Sequence, residues 1–74
     1  MLLERILKGE VVNFPMKNNE QETVIKTTGN VIEQLSIELD TYNKNNEETT
    51  LPLNFIDENV RFEAEADKLV VYTK

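Results

Sequence analysis

Residues 60–66 alternate strictly. Val60, Phe62, Ala64 and Ala66 fall on one side, and Arg61, Glu63 and Glu65 on the other. A period of two marks a half-buried strand. Leu69-Val70-Val71-Tyr72 follows across the tight break Ala66-Asp67-Lys68, and the two runs predict a closing β-hairpin. Near the start, residues 5–14 (RILKGEVVNF) are aliphatic and β-branched and predict another strand, with Gly9 placed where a bulge fits. Pro15 then ends the pairing, because it has no N–H to donate. Residues 23–28 (TVIKTT) have the composition of a short strand. Phe14, Phe55 and Phe62 are the expected aromatic part of the core.

The segment 31–42 supports two patterns. As a strand, Leu35, Ile37 and Leu39 alternate with Ser36, Glu38 and Asp40. As a helix, Val31, Ile32, Leu35, Leu39 and Tyr42 form a stripe, with Asn30 as cap and Glu33 in the reciprocal position. Ile37 favours the strand, since a helix turns it to the wet side, and the β-branched residues lean the same way. Two Asn-rich polar stretches, 17–22 and 43–48, read as exposed connections, with Gly29-Asn30 as a further break. The fold class expected from this pattern is mainly β: a small barrel of about five short strands, with a helix at 31–42 as the alternative. Closure of the barrel would remove unpaired sheet edges.

At 74 residues the chain is one small domain, 1–74. A single core of this size stabilises weakly, so self-association is expected. The longest apolar run is four residues, so no membrane span is expected, and the start lacks the character of a signal peptide. A soluble, cytoplasmic protein is the expectation.

The absence of both His and Cys removes the usual general base and the cysteine nucleophile, and points away from an enzyme and from metal or other cofactors. Net charge is −6, and all of the excess lies in residues 31–74, where ten acidic residues face four basic ones. That sign disfavours direct binding to nucleic acid.

The run Arg5-Ile6-Leu7-Lys8-Gly9-Glu10-Val11 resembles the opening strand of the TOBE/Mop domains. Leu51-Pro52-Leu53, Asp57-Glu58-Asn59-Val60 and Phe62-x-Ala64-Glu65-Ala66-Asp67-Lys68-Leu69-x-Val71 are similar to that domain's closing half. The resemblance implies an oligonucleotide/oligosaccharide-binding-like (OB-like) barrel. It also implies a module that binds oxyanions as a homo-oligomer or regulates a transport ATPase. Glu65 stands where the family often has Lys, and a carboxylate there opposes an anion site.

Two carboxylate pairs remain to be weighed, Glu38 with Asp40 and Glu63 with Glu65. On strands each pair would share a face about 6.6 Å apart. Their ordinary role is a solvated face. Their functional reading is recognition of a protein with a basic surface, because acidic ladders can imitate a nucleic-acid backbone. Small phage and mobile-element proteins that inhibit nucleic-acid-binding enzymes use this device. The expected function is therefore a non-enzymatic small-ligand or oxyanion-binding module, or alternatively an acidic accessory protein acting through Glu38, Asp40, Glu63 and Glu65.

Overall fold

The computed structural model describes residues 1–73. The chain runs α1 (Leu2–Leu7), β1 (Val12–Pro15), α2 (Gln21–Asn45), α3 (Phe55–Asn59), β2 (Val60–Ala64) and β3 (Lys68–Thr73). The three strands form one antiparallel sheet in the order β1-β3-β2. The expected hairpin is present as β2 and β3, in the register Phe62 to Val71 and Ala64 to Leu69. The last strand is the central one.

Alternation sorts the sheet into two faces. Val12, Phe14, Val60, Phe62, Leu69 and Val71 lie on one face and meet Leu2, Leu3 and Ile6 of α1, Val31, Leu35 and Leu39 of α2, and Ile56 of α3. This is the core, with Leu3, Ile6, Leu35, Leu69 and Val71 fully enclosed. The other face, with Asn13, Pro15, Arg61, Glu63, Lys68, Val70 and Tyr72, contributes no side chain to that core. Val70 is nonetheless buried there, between its cross-strand neighbours Asn13 and Glu63.

The structure differs from the expected one at several points. The fold is an open α+β sandwich of helices on a three-stranded sheet, and the mainly-β, five-stranded OB-like barrel is not formed. Segments 23–28 and 31–42, expected as strands or as one short helix, belong to the single 25-residue helix α2. Gly29-Asn30 lies inside it, and Ile37 sits on its wet side at 62 % exposure. Packing decided this outcome: Val31, Leu35 and Leu39 recur at helical spacing and are buried, which outweighs the β-branched composition.

The predicted strand 5–14 divides. Leu2, Leu3 and Ile6 make the buried side of α1, and only residues from Val12 onward pair in the sheet. Gly9 is a helix terminator and not a bulge. Its φ is +89°, its N–H donates to Ile6 O at 3.0 Å, and Glu10 N–H donates to Arg5 O at 3.1 Å. That is the Schellman pattern, in which a left-handed residue satisfies the last helical carbonyls. Pro15 does not end the pairing either: it lies opposite Lys68, and Met16 N–H continues the ladder to Asp67 O at 2.8 Å.

Asn43 fixes the exit from α2. Its side-chain amide donates to Leu51 O at 3.0 Å and accepts from Leu51 N–H at 2.8 Å, a side-chain copy of a strand pair. This holds the 46–54 connection so that α3 is placed with Ile56 in the core.

Candidate functional site

The four carboxylates singled out in the sequence are not brought together. Glu38 is half-buried: Oε1 accepts Leu3 N–H at 2.7 Å, and Oε2 accepts Gln34 Nε2–H at 2.9 Å. A helix leaves its first N–H groups without internal partners, and Glu38 supplies one for α1. It ties α1 to α2. Asp40, two residues on, points about 200° around the helix from Glu38 and is exposed.

Glu63 is exposed on the open face of the sheet, where it accepts the Tyr72 hydroxyl at 2.8 Å. That hydrogen bond is the main reason the Tyr72 hydroxyl titrates above its ordinary value of 10.0; desolvation and the Glu63 charge act in the same direction. Glu65 stands at the hairpin turn, 3.9 Å from Lys68 Nζ, with both side chains about half exposed. A pair so exposed contributes little.

The open sheet also creates something the sequence reading missed, two edges of unequal character. In an antiparallel ladder, successive residues direct their backbone groups alternately toward one neighbour and the other. Glu65 N–H donates to Lys68 O at 2.8 Å, which sets the phase of β2. Arg61 and Glu63 therefore bond to β3, while Val60, Phe62 and Ala64 direct their N–H and C=O groups outward. Val60 N–H is taken by Ile56 O at the end of α3. Among the described residues, no backbone group bonds the N–H or C=O of Phe62 or Ala64 outside the sheet.

On β1 the bond from Met16 to Asp67 sets the opposite phase, so Asn13 and Pro15 point outward. Pro15 brings no donor. A proline at such a position is a standard way to blunt an edge. The signal for this contrast was in the sequence, in Pro15 and in the symmetric run Val-Arg-Phe-Glu-Ala. It becomes readable only once β3 is known to lie between the other two strands.

Among the described residues no group of three His, Cys, Asp or Glu side chains is placed to hold a metal, and no helix is long and apolar enough to cross a membrane. Compared with protein-family models, curated proteins and solved structures, the chain matches none.

Proposed function

We propose that this protein is a non-enzymatic interaction module whose acidic surface binds a protein partner carrying a basic surface. One observation carries the reading. Glu33 and Asp40 on α2, Glu47 and Glu48 beyond it, Asp57 and Glu58 on α3, and Glu63, Glu65 and Asp67 at the hairpin are all exposed. Among the described residues, only Glu65 of these lies in a salt bridge. Of the four carboxylates expected to serve recognition, Asp40 faces outward from α2 and Glu63 and Glu65 face outward from the opposite, open side of the sheet, so a single partner surface meets one group or the other, while Glu38 is engaged by α1. The dominance of carboxylates opposes the oxyanion-binding reading, since an anion site requires converging donors or cations.

Complementary charge across an interface acts mainly on association rate and specificity, and salt screens it. The test is to cross-link the protein in its host, identify the partner, and measure binding with purified components. Affinity should fall steeply between low and physiological ionic strength. It should fall again in a Glu33→Gln, Asp40→Asn variant, which removes two carboxylates from the outward side of α2, with circular dichroism unchanged. Binding that ignores both salt and these substitutions overturns the reading. Glu63 is left intact in that variant because it also lies on the β2 edge.

A further inference from the structure

We propose that the free edge of β2 pairs with the same edge of a second copy, in a two-fold antiparallel arrangement centred on Phe62. The result is one continuous sheet with three strands from each copy. The inference rests on strand geometry and holds whether or not the acidic surface has a basic partner.

The phase of β2 suits this pairing. Centring on Phe62 makes the two Phe62 residues a hydrogen-bonded pair, and their N–H and C=O groups are the ones β2 directs outward. Ala64 N–H is likewise outward and meets the C=O of the second copy's Val60. Val60 N–H, already bonded to Ile56 O, is not required.

Charge suits the same register. In this register Arg61 stands opposite the second copy's Glu63, and by symmetry the contact occurs twice. These are non-hydrogen-bonded positions, where Cα atoms come within about 4.5 Å and side chains are closest. Opposite charges there stabilise, and like charges oppose pairing. Both residues lie on the face opposite the core, and Glu63 uses only Oε1 for Tyr72. On the other face the two half-buried Phe62 rings become neighbours.

The neighbouring registers are disfavoured. Centring on Ala64 would set Glu63 against the second copy's Glu65. Centring on Val60 would need the N–H that α3 occupies. Centring on Arg61 or Glu63 would present groups already bonded to β3. Growth beyond two copies is checked because the remaining edge, β1, offers Pro15. An interface of identical patches about a two-fold axis closes on itself.

Two five-residue strands bury less than the about 1,200 Å² of a standard interface, so the equilibrium is a weak one that concentration shifts. Sedimentation equilibrium over a series reaching millimolar protein should show the mass rising from 8.6 kDa toward twice that value. Arg61→Glu and Glu63→Arg should each weaken association by about tenfold or more, which is about 1.4 kcal/mol. Combining them restores opposite charges and should return affinity to within about threefold of the parent.

Ala64→Pro removes an outward N–H that no bond within the fold uses, and should give a monomer with an unchanged circular dichroism spectrum. If that variant loses its fold, the charge series decides alone, since Arg61 and Glu63 sit on the open face. A parent that stays at 8.6 kDa throughout overturns the proposal. So does a dimer indifferent to the reversals, or a double variant weaker than either single one.

Discussion

From Val31 to Tyr42, α2 lies against α1, β3 and α3, with Val31, Leu35 and Leu39 buried. From Gln21 to Asn30 no side chain is fully buried: Val24 alone packs, half-buried, against the core, and Ile25 is 63 % exposed. The helix of 25 residues is about 37 Å long, while strands of five or six residues span about 16–20 Å. One part of the helix must therefore reach past the sheet, and the molecule's long axis of 41 Å follows from that.

The overhanging half is also the poorer helix former. Thr23, Val24, Ile25, Thr27, Thr28, Gly29 and Asn30 all rank low in propensity. It lasts as an extension of a helix nucleated elsewhere, because adding a residue to an existing helix is far easier than starting one. Packing can thus hold in helical form a segment that neither packs well itself nor prefers the conformation.

The largest effect should come from Leu35→Ala. Leu35 is fully enclosed, and removing a side chain from such a site costs about 2–5 kcal/mol. Urea denaturation followed by circular dichroism should show the midpoint fall to match. Next is Glu38→Ala, which deprives Leu3 N–H of its acceptor and should cost about 0.5–2 kcal/mol, with Glu38→Gln costing less. Equal losses for Ala and Gln would mean that the contact with α1 is not what Glu38 contributes.

Gly29→Ala has the opposite sign. An added Cβ there meets nothing within 4 Å, so the substitution should stabilise by about 0.5–1 kcal/mol and deepen the helical signal. Ile25→Ala should be the smallest change, within about 0.5 kcal/mol. Hydrogen exchange resolves the comparison residue by residue: amides of 21–30 should exchange through local opening well before those of 31–42. Uniform protection along α2 would break it.

How much of this was readable beforehand depended on distance along the chain. The β2–β3 hairpin was legible because alternation at residues 60–66 and a tight turn are neighbours in sequence and in space. The stripe of Val31, Leu35, Leu39 and Tyr42 was visible as well, yet Ile37 and the β-branched residues outweighed it. Their preference is set aside by contacts with α1 and β3 that no local pattern announces. Gly9 was noticed for its freedom of backbone, but bulge and helix end demand the same φ and differ only in what precedes them. Glu38 looked like part of a charged face. Its role in tying down α1 depends on Leu3, which is remote in sequence. The unequal sheet edges needed the strand order, and strand order is a property of the whole chain.

The placement of β3 between β1 and β2 has a consequence for how the protein emerges from the ribosome. Val12 finds its partner in Val71, and Val60 finds its partner in Thr73. Until the codons for Lys68–Thr73 are translated, β1 and β2 have no strand between them, and Leu3, Ile6 and Leu35 have no Leu69 or Val71 to close over them. Helices can form early in the nascent chain, but the sheet cannot be assembled piecemeal as synthesis proceeds. A product of premature termination before Lys68 therefore keeps its apolar surface open to chaperones and proteases, and the cell's quality control sees a chain with β3 and one without it as different objects.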